Sequence, residues 1–214
     1  AARRMQPRDT SSGFLVLKTV DRLRDIRRDQ NGSMKSVLIA YGTTEGHTRL
    51  IATRIQEWCT AEGWQADLLD TSANSGKVAV SGRSAYVLAG SLHQGKHQAT
   101  LIHFVNDNLQ QLNATPTLFL SVSLCSVIKD EKHRAEAQGC IDEFLQETGL
   151  KPTLSRPVEG ALLYTKYDFL KRFLLKMISK SEGGATDTSQ DYEYTDWGAL
   201  QLAVKDFLAR IPSH

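Results

Sequence analysis

The sequence predicts an α/β domain built on a doubly wound, five-stranded parallel sheet, and three observations carry that expectation. Short apolar runs bounded by turn residues recur at 36–41, 65–69, 85–90, 117–122 and 154–163. The runs are continuously apolar rather than alternating, which marks strands covered on both faces. Amphipathic helical stretches separate most of them, and strict strand–helix alternation calls for right-handed crossovers and a parallel sheet.

Each helix has a readable start or stop. The stretch 48–62 sets Leu50, Ile51, Ile55 and Trp58 along one face and ends at Gly63. The next, 100–112, repeats the pattern with Leu101, Phe104, Val105 and Leu109, and both are expected to cover the sheet. A third runs from His133 to Thr148 and stops at Gly149; a last one reaches about Arg210, before Pro212, with Thr195 as N-cap and Asp196 in its first turn. Residues 1–33 look like an appendage, flexible or extraneous to the fold, and the domain is expected over 34–214, with an insertion at 164–182.

Composition narrows the class of function. At 214 residues the chain can bury a full core without disulfides or metals. Cys59, Cys125 and Cys140 form no C-x-x-C pair, which speaks against a disulfide framework or zinc ribbon and for a reducing cytoplasm. No apolar stretch approaches a bilayer-spanning length, and the start does not read as a secretory leader. Residues 1–33 hold eight Lys/Arg against four Asp/Glu, leaving eighteen basic and twenty acidic residues in 34–214. A slightly acidic body gives no reason to expect nucleic acid.

In an open parallel sheet, ligands bind beyond the carboxyl ends of the strands where the strand order reverses. The loop after the first strand reads Tyr41-Gly42-Thr43-Thr44-Glu45-Gly46-His47-Thr48, a hydroxyl-rich turn feeding a helix. The unpaired N–H groups and positive dipole end of that helix favour a phosphate, with Thr43, Thr44 and Thr48 as hydroxyl donors and His47 as one cation. Gly42 and Gly46 are too close for a Walker loop, His47 stands where its lysine would, and the dinucleotide fingerprint is missing. Neutral donors of this kind suit a monophosphate ester better than a triphosphate with magnesium.

This first loop resembles the FMN phosphate loop of flavodoxins. The segments Gly90-Ser91-Leu92-His93-Gln94-Gly95-Lys96-His97 and Ser121-Val122-Ser123-Leu124 resemble the two loops that flank their flavin ring. Further on, Gly183-Gly184-Ala185-Thr186-Asp187-Thr188 and Tyr192-Glu193-Tyr194-Thr195-Asp196-Trp197 are similar to the C-terminal signature of the flavodoxin-like, quinone-dependent protoporphyrinogen oxidases. That resemblance spans residues 34 to about 211. It implies a flavodoxin-like fold holding FMN, oxidation of protoporphyrinogen IX to protoporphyrin IX, and a membrane quinone, menaquinone or ubiquinone, as acceptor in heme biosynthesis. It assigns the FMN phosphate to Thr43, Thr44, Glu45, Gly46, His47 and Thr48. One side of the ring falls to Ser91, Leu92, His93, Gln94 and Gly95, the other to Ser123, Leu124 and Cys125. Family members can carry an arginine and an aromatic where this chain has His93 and Gln94, so His93 is the ring available to stack. The resemblance assigns no general base; His93, His97 and His133 are the imidazoles to consider.

The stretch 164–180 is longer than an ordinary short flavodoxin needs. Phe169, Leu170, Phe173, Leu174, Met177 and Ile178 form a stripe of helical period, with Lys166, Lys171, Arg172, Lys176 and Lys180 nearby and a segment charge of +4. Such a helix suits an anionic membrane surface, and Lys166, Lys171, Arg172 and Lys176 are candidates for that surface or for substrate propionates. The expected location is therefore the cytoplasm, peripheral on the inner face of the cell membrane. The alternatives are a helix packed on its own domain or on a twin subunit, giving a homo-oligomer, and an electron-transfer flavodoxin that turns over no porphyrin.

Overall fold

The computed structural model describes residues 35–73, 79–93, 95–123, 126, 130–162 and 192–212. The expectations for the extension 1–33, the insertion 164–182 with the candidate residues Lys166, Lys171, Arg172 and Lys176, the segment 183–188, and Gln94, Leu124 and Cys125 lie outside the described residues.

The elements run β1 (Ser36–Gly42), α1 (His47–Ala61), β2 (Gln65–Asp70), β3 (Ala85–His93), β4 (Lys96–His97), α2 (Ala99–Asp107), α3 (Leu109–Ala114), β5 (Thr117–Ser123), α4 (Glu131–Thr148), β6 (Leu154–Glu159), β7 (Ala161–Leu162), β8 (Tyr192–Glu193) and α5 (Trp197–Ala209). Five of the strands form the expected parallel sheet, in the order β2-β1-β3-β5-β6. The sheet has six strands rather than five, because β3 continues past Gly90 to His93 and turns back as antiparallel β4, pairing Leu92 with His97 and His93 with Lys96. Gly95, at φ 81°, supplies the left-handed residue that so tight a reversal needs.

Alternate strand residues feed two cores. Val37, Ile39, Val87, Ala89, Leu118 and Leu120 face α1 and α5, while Leu38, Ala40, Tyr86, Leu88 and Phe119 face α2, α3 and α4. The buried face of α1 is Thr48, Ile51, Ala52, Ile55 and Cys59. Ile51 and Ile55 are fully buried, each contributing about 2 kcal/mol relative to exposure. Leu50, expected on that face, is 42% exposed, since one residue before Ile51 it is rotated a third of a turn away.

The helix expected over 100–112 is two helices. The Asn108 side chain donates to the Phe104 carbonyl at 2.8 Å, a local bond that competes with the backbone ladder and breaks it there. Asp130 caps α4 two residues earlier than expected, its carboxylate accepting from the His133 amide at 2.8 Å. The N-cap of α5 is Asp196, not Thr195: its Oδ1 accepts from the Ala199 amide at 2.9 Å, leaving the Thr195 side chain free for another role.

The fifth apolar run also divides. Gly160 separates β6 from β7, which pairs antiparallel with β8 through Ala161–Glu193 and Leu162–Tyr192. The chain segment between them thus leaves and returns at one place, beside the carboxyl end of β6.

Candidate functional site

Three parallel strands lie in register where β1 ends. Gly42 of β1 pairs with Gly90 of β3, and Gly90 with Ser121 of β5. The strand order reverses between β1 and β3, so their carboxyl ends flank the crevice where an open α/β sheet takes a ligand. The two glycines make room for the start of α2. A Cβ at Gly90 would lie 2.6 Å from Leu101 and 2.9 Å from His97, and one at Gly42 would lie 3.0 Å from the Gln98 Oε1.

The turn from β1 into α1 fits a phosphate. Its N-cap is Gly46 at φ 93°, with no side chain capping the helix, so the first amides of α1 have no intrahelical partner and point into the turn. A Cβ at Gly46 would meet nothing within 4 Å, which leaves open space against the backbone. The Thr48 hydroxyl is the strongest sign: the residue is 1% exposed, and its oxygen has no hydrogen-bond partner among the described residues. A buried hydroxyl left this way costs about 1–3 kcal/mol unless a ligand uses it. Thr43 holds the turn closed by accepting from the Gly46 amide at 2.9 Å.

His47 does not provide the expected cation. Its ring turns toward the C-terminal segment, where Nε2 lies 2.8 Å from the Thr195 hydroxyl and Trp197 packs at 6.3 Å. Burial holds its pKa below the ordinary imidazole value, only partly offset by Glu193. The remaining polar groups that line this turn are backbone amides and hydroxyls.

Gln98, a residue that sequence reasoning missed, ties the first loop to the second. Its side-chain amide donates to Ser91 Oγ and, at 3.2 Å, to Thr44 Oγ1, so one side chain fixes both walls of the crevice. Its position just before α2 and the small residue at Gly42 were the only signals available. Burial raises the Glu45 carboxyl above its usual range, an effect that the charge of His93 partly offsets. Leu92 is half-buried, and His93 and Gly95 are exposed at the tip of the hairpin. Ser123 closes the third loop on itself, with its hydroxyl 2.9 Å from that of Ser126.

The other histidines part company. His97 is 7% exposed, its ring 5.4 Å from Phe119 and 4.8 Å from Phe144, with Nε2 3.1 Å from Ser121 Oγ. Burial lowers its pKa to about 4, so it is a neutral core residue at physiological pH and no general base. His133 is held by the Asp130 carboxylate at 2.8 Å as part of a helix cap. The Cys59 thiol, pushed up to about 12 by burial, is inert.

Among the described residues no cluster could hold a metal ion, and no helix is long and apolar enough to cross a membrane. A flavodoxin-domain family model matches residues 38–189. A protoporphyrinogen IX dehydrogenase (quinone) of Leishmania major is 32% identical over 173 residues, covering 80% of this chain and 74% of that protein. The chain belongs to the flavodoxin-type protoporphyrinogen IX dehydrogenase family. The enzyme of the same name from Escherichia coli K12 is likewise 32% identical, over 163 residues, 75% of this chain and 87% of that protein. Among solved structures, oxidised flavodoxin 1 from Bacillus cereus has a TM-score of 0.49 at 12% identity, covering 83% of this chain and all of that one. Membership of this family makes the chain an oxidoreductase and implies a flavin cofactor.

Proposed function

We propose that the chain oxidises protoporphyrinogen IX to protoporphyrin IX with FMN as cofactor and a membrane quinone, menaquinone or ubiquinone, as acceptor, in heme biosynthesis. The observation that carries the reading is the uncapped start of α1 beside the buried Thr48 hydroxyl, which has no hydrogen-bond partner among the described residues and fits a phosphate. The substrate and acceptor follow the names of the two dehydrogenases described above.

When bound, FMN would supply two-electron redox chemistry between porphyrinogen and quinone, three rounds of which make up the six-electron oxidation to the porphyrin with three quinones reduced. The protein's part is position and electrostatics. The amides opening α1, with Thr44 and Thr48, would hold the phosphate, and Gln98 would keep the first and second loops at a fixed separation. Glu45, whose carboxyl burial holds above its usual range, is a group that could hold or move the pyrrole proton.

The basic, apolar-striped stretch 164–180 would seat the enzyme peripherally on the inner face of the cell membrane, where the quinone is dissolved. The β7–β8 ribbon pairs Leu162 with Tyr192, so the described residues that flank 163–191 are neighbours, and β6 next to it pairs Glu159 with Ser123 at the crevice end of the sheet. The proposal is tested by adding porphyrinogen anaerobically to the FMN-loaded chain. The flavin absorbance should bleach and return on adding a menaquinone or ubiquinone analogue. A flavin that stays oxidised refutes the enzyme reading and leaves an electron-transfer flavodoxin.

A further inference from the structure

The first turn of α1 has no side-chain cap of its own, yet an anion site must be rigid to be useful. Its position is enforced from elsewhere. Thr195 lies between β8 and α5, 8% exposed, and its hydroxyl donates to the Glu159 carbonyl at 2.7 Å. A hydroxyl has one proton, and a carbonyl can only accept. The 2.8 Å contact between Thr195 Oγ1 and His47 Nε2 must therefore be donated by the imidazole. The ring therefore carries a proton on Nε2, which in the neutral form that burial favours fixes the tautomer, and it is tied to the C-terminal segment. Trp197 packs against the same ring at 58° and meets Trp58 of α1 edge-on at 6.2 Å. The C-terminal segment thus grips α1 at its first residue and again three turns along.

We propose that Thr195 is a positioning residue for the phosphate turn: by bridging the Glu159 carbonyl to the His47 ring at the helix start, it aims the opening amides of α1 at the anion. The role rests on the FMN reading above and adds a contact outside all three flavin loops. It also gives the Tyr194-Thr195-Asp196-Trp197 stretch two separate tasks, since Asp196 caps α5 while Thr195 reaches back to α1.

The test compares Thr195→Val, which keeps the shape and removes the hydroxyl, with Thr195→Ser, which restores it. Binding is followed by flavin fluorescence for FMN and for riboflavin, which lacks the phosphate. Loss of one buried hydrogen bond should weaken FMN about tenfold in Thr195→Val. Riboflavin affinity should stay unchanged, and Thr195→Ser should bind FMN as the native chain does. Independently of any flavin, the nitrogen resonances of His47 should show the Nε2–H tautomer in the native chain and a mixture in Thr195→Val. A valine variant that binds FMN as tightly as the native chain, or that loses FMN and riboflavin equally, overturns the positioning role. A native chain that binds no FMN at all overturns the cofactor reading instead, and the histidine resonances then still report whether the bridge exists.

Discussion

Replacing Thr48 by Val should push stability and cofactor affinity in opposite directions. The two side chains have nearly the same shape, and the site is almost fully buried, so no cavity or overlap is introduced. What changes is one hydroxyl that has no partner among the described residues. Its unsatisfied burial costs about 1–3 kcal/mol, and removing it should stabilise the flavin-free chain by about 1 kcal/mol, or roughly 2–4 °C in Tm for a domain of this size. With FMN present the same hydroxyl would donate to a charged phosphate, a bond worth about 1.5–3 kcal/mol, so affinity should fall by about ten- to a hundredfold. Because bound ligand raises Tm with the logarithm of its concentration over Kd, the melting order should reverse. The variant should melt higher without FMN and lower in its excess. Thermal melts of stripped and loaded protein read both signs in one series. A variant that melts lower when stripped, or binds FMN as the native chain does, would refute the assignment of Thr48 to the anion.

Two further outcomes follow from other parts of the molecule. His97 has a folded pKa of about 4 against an ordinary 6.5, so its contribution is complete above pH 6.5 and is lost as pH falls toward 4, where the unfolded state takes the proton first. The loss approaches about 3 kcal/mol, and urea unfolding at pH 7 and pH 4.5 should show a pH dependence that His97→Gln flattens; equal slopes would mean the ring is not held neutral. Reversing charge at Lys171, Arg172 and Lys176 should release the chain from anionic vesicles while neutral vesicles show no difference, since each basic residue near such a surface contributes about 1 kcal/mol. Unchanged sedimentation with anionic vesicles removes the electrostatic case for a membrane seat.

What the linear sequence determined is what depends on neighbours along the chain. Apolar runs located all five parallel strands. In β1, β3 and β5 burial on both faces leaves few polar positions to interrupt them, whereas the edge strands β2 and β6 carry exposed polar residues and were found by their turn-bounded spacing. The Gly/Thr turn before α1 was legible because an uncapped helix start with a left-handed glycine is a local device. Side-chain competition with the backbone was legible only in part: Asn108 breaks a helix whose apolar period runs straight through it. Tertiary structure alone decided what each polar side chain near the crevice does. Thr195 looked like a cap and instead bonds Glu159 and His47, His47 looked like a cation of the turn and instead points to Thr195, and Gln98, unremarked in the sequence, joins two loops. Those roles turn on contacts across 148, 36 and 54 residues of chain, and a hydrogen bond is chosen by which partner the fold brings within about 3 Å, a distance that no local pattern encodes.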